Sequence, residues 1–261
     1  MRRMRLGQNF LADPNLLAAI VRESGAGAGD VVLEVGAGAG VLSRELAQRA
    51  GHLHAVELDR RLQPELSELA QAANVSLHWG DAMKLDLGGL RPAPTMVVAN
   101  LPYSVATPLI IRTIEQLPGV QSWTVMVQRE IAERLRAVPG GRDYGAPSVI
   151  VQLAAEVKLL RGVDPAVFKP RPRVRSAVLR LTRTGPAAAE PLRLLVREAF
   201  AHRRKALPRS LELARPGMLE PARTALAELG LPEDARAETL SPEQFAELAS
   251  MLPAHDPVID D

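Results

Sequence analysis

The stretch Val31-Val32-Leu33-Glu34-Val35-Gly36-Ala37-Gly38-Ala39-Gly40 joins an apolar run to a glycine-rich turn, and this junction decides the fold. The apolar run predicts a buried strand. Three glycines on alternate residues let the backbone approach a ligand closely where a helix begins. A dinucleotide-binding loop would place its third glycine three residues after the second, but that position holds Val41. The spacing therefore argues against a dinucleotide site.

Strand and helix patterns alternate on both sides of this junction. Their order is typical of a parallel sheet with helices on both faces, and two later β-rich runs bring the expected count to seven strands. The predicted strands are Val31–Val35, Leu53–Val56, Val75–Trp79, Thr95–Ala99, Trp123–Val127, Glu156–Leu160 and Ser176–Thr182. Amphipathic segments lie around Leu42–Ala50, Leu62–Ala72, Pro108–Leu117 and Ile131–Val138.

A linker rich in proline and alanine, Thr184 to Pro191, ends this pattern, and only helical segments follow it. The 261 residues are enough for one sizeable α/β domain and a small appendage. We therefore predict an α/β domain over residues 1–185 and a small all-helical C-terminal domain over residues 186–261.

Composition excludes several classes of function. The chain has no cysteine, so disulfides, thiolate metal sites and a cysteine nucleophile are excluded. The five histidines lack metal-ligand spacing, and no metal is expected. No signal peptide or bilayer-spanning segment is recognised, which predicts a soluble protein of the cytoplasm without a membrane partner.

The net charge of +2 hides an uneven distribution. The segment from Lys158 to Arg183 contains eight basic residues and one acidic residue. The segment from Arg193 to Arg209 contains six basic residues and one acidic residue. Such basic stretches in a nearly neutral protein indicate a polyanion partner, although ordinary solvated faces would have the same composition.

The tetrapeptide Asn100-Leu101-Pro102-Tyr103 follows the fourth predicted strand of the alternating pattern. The side-chain carbonyl of Asn100 and a backbone carbonyl beside Pro102 can accept both hydrogens of a planar exocyclic amine, and Tyr103 offers a face on which a base can stack. Pro102 restricts the backbone there. This corner favours methyl transfer to an amino nitrogen of a base, while an ordinary turn remains the alternative.

Acidic residues also follow the second and third predicted strands. Glu57 can accept hydrogen bonds from ribose hydroxyls, and Asp81 can accept one from an adenine amino group. Taken singly, each is more often a cap or a surface charge, but their order ahead of the Asn100 corner favours a nucleoside-containing cofactor.

The loop from Glu34 to Gly40 resembles the S-adenosylmethionine loop of class I methyltransferases. With the other segments, the chain resembles the KsgA/RsmA family of ribosomal RNA adenine dimethyltransferases over nearly its whole length. The matching segments are 7–11, 34–40, 80–82, 100–109, 127–134, 143–145, 168–174 and 200–205. The resemblance implies a class I methyltransferase fold with a Rossmann-like seven-stranded sheet.

The resemblance also implies roles for individual residues. Cofactor contacts are expected from Asn9, Leu11, Glu34, Gly36, Gly38, Glu57, Asp81 and Asn100. The catalytic corner is expected at Asn100, Leu101, Pro102 and Tyr103, with Phe168 stacking on the target base opposite Tyr103. Contacts with RNA phosphates are expected from five basic residues, Arg171, Arg173, Arg203, Arg204 and Lys205.

The implied reaction transfers the methyl group of S-adenosylmethionine to the N6 amino groups of two adjacent adenosines. These adenosines lie in the 3′-terminal hairpin loop of small-subunit ribosomal RNA, and the implied partner is this RNA or the immature small subunit. A monomer is expected. At position 175 this chain has an arginine, whereas members of the family often have an acidic residue at this position.

Three alternatives remain. The Erm group, which methylates a large-subunit ribosomal adenosine, shares the cofactor loop and the corner after the fourth strand. Leu101, the Tyr144-Gly145 segment and the proline-rich loop after Phe168 favour the small-subunit enzyme instead. A ribosome-assembly or transcription factor without catalysis would not need Gly36, Glu57, Asp81 and Asn100 together. A small-molecule methyltransferase would leave the basic stretches unexplained.

Overall fold

The computed structural model describes residues 10–253, so the predicted contact of Asn9 lies outside the described residues. The strands are β1 (Phe10–Leu11), β2 (Val31–Val35), β3 (His52–Glu57), β4 (Val75–Trp79), β5 (Met96–Asn100), β6 (Ser122–Gln128), β7 (Ala155–Val163), β8 (Phe168–Lys169) and β9 (Ser176–Arg183). The helices are α1 (Pro14–Ser24), α2 (Val41–Ala47), α3 (Gln63–Leu66), α4 (Ala106–Gln116), α5 (Arg129–Leu135), α6 (Ala146–Gln152), α7 (Glu190–Ala201), α8 (Leu207–Ala214), α9 (Leu219–Glu228) and α10 (Pro242–Met251).

Seven strands form one sheet in the order β4-β3-β2-β5-β6-β9-β7. The first five strands of this order are parallel, and β9 runs antiparallel to both of its neighbours. All seven predicted strands are present, and the predicted seven-stranded class I methyltransferase fold is confirmed. The strand order reverses between β2 and β5, which is where open α/β sheets bind their ligands.

Local sequence explains how the first helix forms. The side chain of Asp13 accepts hydrogen bonds from the backbone N–H groups of Asn15 and Leu16 at 2.8 and 3.0 Å, and Pro14 occupies the first turn. The helix ends at Gly25, whose φ of 74° is the left-handed conformation that glycine adopts without strain. Its buried face, which includes Leu17, Ile20 and Val21, joins the core of the sheet.

The chain divides into two compact units. One comprises residues up to Ala132 together with Ala155–Thr184, and it contains the seven-stranded sheet. The other comprises Glu133–Ala154 together with the residues from Gly185 onward, and it is helical within the described residues. The predicted division at residue 185 did not anticipate that 133–154 pack with the C-terminal helices.

Aromatic rings form the centre of the helical unit. The rings of Tyr144 and Phe200 lie 6.0 Å apart, and those of Phe200 and Phe245 lie 5.8 Å apart. The hydroxyl of Tyr144, which is fully buried, donates a hydrogen bond of 2.9 Å to the carbonyl of Leu240. This core explains why Glu133–Ala154 belong to the helical unit, since Tyr144 anchors them there. Within residues 10–253, no helix has the length and apolar character needed to cross a bilayer.

Candidate functional site

A cavity of about 300 Å³ opens at the carboxyl ends of the parallel strands. It is lined by the end of β2 and the glycine turn, the end of β3, the loop after β4 and the corner after β5. These are the segments on either side of the point where the strand order reverses, so the fold itself collects them. The predicted residues that line the cavity are Leu11, Glu34, Gly36, Gly38, Glu57, Asp81, Asn100, Leu101, Pro102 and Tyr103.

The glycine turn is held against β3 by its backbone. The N–H groups of Gly36 and Ala37 donate to the carbonyl of Val56 at 2.8 and 3.1 Å. Gly36 has a φ of 83°, and a Cβ at this position would lie 3.6 Å from Cδ of Pro102 and 3.7 Å from the carbonyl oxygen of Asn100. The turn that follows β2 and the corner that follows β5 therefore face each other across a short gap.

Glu57 closes the turn from the neighbouring strand. It is 4% exposed, and its two carboxylate oxygens accept hydrogen bonds from the N–H groups of Gly38 at 2.7 Å and Asp59 at 2.8 Å. Each oxygen has a second lone pair, so Glu57 can still accept hydrogen bonds from two hydroxyls of a ligand. Asp81 is half-buried, and its Oδ1 accepts the N–H of Met83 at 2.9 Å.

Glu34 differs from both of these carboxyl groups. Its side chain is 1% exposed, and its Oε2 has no hydrogen-bond partner among the described residues. Burial raises the pKa of Glu34 from 4.5 to about 8, the nearby Ser43 hydroxyl lowers it, and the charge of Glu57 raises it further. Glu34 is therefore mostly protonated at neutral pH when no ligand is bound.

Replacement of Glu34 by glutamine is expected to flatten the dependence of stability on pH. In the parent the folded state keeps a proton on Glu34 up to a pH of about 8, whereas the unfolded chain releases it near pH 4.5. The contribution of Glu34 to the free energy of unfolding is thus greatest below pH 4.5 and falls by a few kcal/mol as the pH rises towards 8. Urea unfolding between about pH 5 and pH 8 measures this slope.

Glu65→Gln provides the matched control, because Glu65 is exposed on the same unit. It should keep the slope of the parent. An unchanged slope in Glu34→Gln would contradict the assignment of the proton to Glu34.

The corner after β5 has one buried and three more accessible residues. Leu101 is 3% exposed and its N–H donates to the carbonyl of Met126 at 3.0 Å, which fixes the corner to β6. Asn100 is half-buried at the end of β5, Pro102 is exposed, and Tyr103 is half-buried. The hydroxyl of Tyr103 shares a hydrogen bond of 2.6 Å with Oγ of Ser176.

Phe168 is not placed at the cavity. It is 2% exposed, belongs to the hydrophobic core of the sheet unit, and pairs with Leu11 in a two-stranded ribbon formed by β1 and β8. The predicted stacking of Phe168 on a base therefore stays a prediction, and it requires the ring to leave this core.

The five predicted phosphate-binding residues are all exposed. Arg171 and Arg173 belong to the loop between β8 and β9, where Arg171 lies 3.8 Å from Asp164. Arg203, Arg204 and Lys205 follow α7 in the helical unit. Arg203 donates to the carbonyl of Tyr144 at 2.8 Å and pairs with Glu238 at 3.2 Å, so it also has a structural role.

Several lining residues were not predicted from the sequence. Leu58, which is 54% exposed, Met83 and Leu109 add apolar surface to the cavity. Leu58 and Met83 could have been found from their positions just after the predicted acidic residues. Ser176, the partner of Tyr103, gave no signal because it is 73 residues away in the chain.

The lining has a one-sided charge. Among its described residues are the carboxylates of Glu57 and Asp81 and the mostly protonated carboxyl group of Glu34, and no lysine, arginine or histidine. An acidic cavity of this kind suits a ligand with positive charge and hydroxyl donors better than a dinucleotide with its anionic pyrophosphate. These residues therefore fit S-adenosylmethionine, which has a sulfonium, an amino group and a ribose. No cluster of three or more metal-binding side chains occurs in the part of the chain that the structure describes.

The sequence matches a known family and its members. Residues 1–253 match the family described as Ribosomal RNA adenine dimethylase. A protein from Rubrobacter xylanophilus named Ribosomal RNA small subunit methyltransferase A is 46% identical over 248 residues, which cover 94% of this chain and 92% of that protein. The protein of the same name from Deinococcus radiodurans is 43% identical over 235 residues, which cover 89% of this chain and 80% of that protein.

Two solved structures share the fold over almost the whole chain. A dimethyladenosine transferase from Plasmodium falciparum has a TM-score of 0.77 at 24% identity, with 92% of this chain and 95% of that chain covered. The 23S rRNA methyltransferase ErmE has a TM-score of 0.69 at 27% identity, with 94% of this chain and 99% of that chain covered. The family match and the two relatives above 40% identity show that the chain belongs to the ribosomal RNA adenine dimethylase family.

Proposed function

We propose that this protein uses S-adenosylmethionine to dimethylate the N6 amino groups of two adjacent adenosines in the 3′-terminal hairpin loop of small-subunit ribosomal RNA. The observation that carries the proposal is the placement of the Asn100 corner directly across from the glycine turn, on the wall of an acidic cavity. This places a group that can hold an amine next to a loop that can hold a cofactor.

In this proposal, different residues bind different parts of the cofactor. Glu57 accepts hydrogen bonds from ribose hydroxyls, Asp81 accepts one from the adenine amino group, and the turn at Gly36 lets the backbone approach the methionine part. S-adenosylmethionine supplies a methyl group that is already activated, because its leaving group is a neutral sulfide. The chain therefore needs no strong base and contributes alignment and hydrogen bonds.

Asn100 and the neighbouring backbone carbonyl accept the two hydrogens of the target amine. These bonds orient the nitrogen lone pair and raise its nucleophilicity. Tyr103 offers its ring to the base, and loop bases are splayed out at low cost compared with paired ones. The proton released on transfer passes from the amine towards these acceptors and to water.

Relatives named for the small subunit support the choice of RNA. The two relatives with that name share 46% and 43% identity with this chain, whereas ErmE shares 27%. We further propose that the protein acts as a monomer on the immature small subunit in the cytoplasm, as a step of late subunit biogenesis.

A methyl-transfer assay tests the proposal. The protein is incubated with labelled S-adenosylmethionine and, separately, with small and large ribosomal subunits from cells that lack this enzyme, and the modified bases are mapped. Dimethyladenosine pairs in the 3′ hairpin of the small subunit are expected. Label in the large subunit would instead indicate an Erm-type activity, and tight binding to immature small subunits without label would indicate an assembly factor.

Removal of charge after α7 is expected to weaken RNA binding and reduce its salt dependence. We expect the variant Arg204→Gln/Lys205→Gln to lower the slope of log K against log salt by about 0.7 to 0.9 for each phosphate that it no longer neutralises, with unchanged cofactor affinity. Arg203 is left in place because it also contacts Tyr144 and Glu238. Binding is measured by titration of the hairpin RNA at several salt concentrations.

The control Arg223→Gln/Arg236→Gln removes the same charge from the helical unit at other positions. It should keep the slope of the parent. Equal slopes in both variants would mean that Arg204 and Lys205 do not bind RNA.

A further inference from the structure

The hydroxyl of Tyr103 is fixed by a partner that the sequence did not indicate. It lies 2.6 Å from Oγ of Ser176, a distance typical of a strong hydrogen bond between hydroxyl groups. Ser176 is fully buried, whereas Tyr103 is half-buried on the wall of the cavity. The bond thus joins a residue of the site to the interior of the sheet unit.

Ser176 is well suited to act as an anchor. It is the first residue of β9, and it is paired on one side with Gln128 of β6 and on the other with Val163 of β7. A residue held between two strands moves little. Tyr103, by contrast, lies in the irregular corner between β5 and α4, where the backbone alone constrains it less.

We infer that Ser176 is a positioning residue that sets the position of the Tyr103 ring for stacking on the target base. Cβ, Cγ, Cζ and the hydroxyl oxygen of a tyrosine lie on one line, so a hydrogen bond to the hydroxyl fixes the direction of this line. It thereby restrains the first side-chain torsion and the position of the ring. This inference rests on the proposed function, because it assigns Ser176 a role in presenting Tyr103 to the RNA base. Methyl transfer is sensitive to small errors in the placement of the base against the cofactor, so a loosened ring should lower the rate of transfer.

The first experiment tests the bond itself, without RNA or cofactor. The chain has only two tyrosines, Tyr103 and Tyr144, so protein labelled with [13Cζ]tyrosine gives two carbon signals, and the signal missing in Tyr103→Phe identifies Tyr103. Ser176→Ala should shift the Tyr103 signal and leave the Tyr144 signal in place. Ser24→Ala is the control, because Ser24 is also a buried serine of the sheet unit but its hydroxyl donates to Val21. An unmoved Tyr103 signal in Ser176→Ala would overturn the inference.

The second experiment tests the role of the bond in transfer. Single-turnover rates are measured for Ser176→Ala, Tyr103→Phe and the double variant, with RNA and cofactor affinities measured separately. We expect each single variant to lose roughly threefold to tenfold in rate, as for one net hydrogen bond, and the double variant to lose no more than either single variant. Ser176→Thr, which keeps a hydroxyl, should retain most of the rate, and both affinities should stay near those of the parent.

The outcomes separate this inference from the proposed function. Additive losses, or a parental rate in Ser176→Ala, would show that Ser176 does not act through Tyr103. If the parent protein itself transfers no methyl group, the proposed function fails, while the carbon signals still decide whether Ser176 fixes Tyr103.

Discussion

Asn100→Ala is expected to lower the rate of methyl transfer by roughly 10²- to 10³-fold, the size of effect seen when one preorganised hydrogen-bonding group is removed from an active site. The side-chain carbonyl of Asn100 is the acceptor that would hold the target amine in line with the cofactor. Its backbone carbonyl oxygen already lies against the glycine turn, 3.7 Å from the point that a Cβ atom at position 36 would occupy. The rate is measured in single turnovers with saturating RNA.

Binding should survive this change. We propose that Glu57, Asp81 and the glycine turn make most of the cofactor contacts and that the exposed basic residues bind the RNA, so calorimetric titrations of both ligands should resemble those of the parent. Asn15→Ala removes an exposed amide from α1 and provides the control. Transfer by Asn100→Ala at the parental rate would rule out the catalytic assignment.

We expect Phe168→Ala to lower the free energy of unfolding by about 3–5 kcal/mol, because it leaves a cavity where an aromatic ring is fully packed. This is the largest loss of stability expected among the variants proposed. Phe168 is 2% exposed in the core of the sheet unit, and its strand β8 pairs with β1. Urea unfolding of the parent and the variant gives the difference in free energy. A loss below about 1 kcal/mol would show that the ring is not part of the core in solution.

Phe168→Leu separates the two roles of this residue. Leucine keeps most of the apolar volume but has no aromatic face, so the variant should remain folded. Stacking on the base predicts that transfer falls about tenfold or more in this variant, since base-aromatic stacking contributes roughly 1–3 kcal/mol per base. A rate near that of the parent would restrict Phe168 to packing.

The strands were predictable because each parallel strand is a short run rich in apolar residues. Four of them, β2, β3, β5 and β6, are largely buried, whereas the edge strand β4 is half-buried. The predicted bounds of Val31–Val35 and Val75–Trp79 agree with β2 and β4, and those of the other five lie within a few residues of the structure. The antiparallel direction of β9 was not predicted, because an apolar run has no direction of its own. In the structure the connection between β7 and β9, residues 164–175, contains no α-helix, as fits antiparallel neighbours.

The helices were predicted less evenly. The amphipathic segment Leu62–Ala72 is broken into α3 and short 3-10 turns, and Pro64 at the start of α3 limits how far a helix extends there. The helix α6 was missed, because Val149, Ile150 and Val151 are all buried and leave no polar stripe.

In the site, the sequence predicted the residues that follow strand ends, since the fold brings those ends together. It could not predict contacts between distant segments, such as that of Tyr103 with Ser176. Nor could it show that Phe168 is packed in the core, because an aromatic residue next to prolines is compatible with either position.

The acidic lining of the cavity bears on how two transfers follow each other on one base. A transfer removes the positive charge of the sulfonium, so the spent cofactor matches the carboxylates of Glu57 and Asp81 less well than the fresh one. We therefore expect the cavity to bind fresh cofactor more tightly than spent cofactor, which favours exchange of the two between transfers. Product inhibition by the spent cofactor should accordingly be weaker than a neutral lining would give.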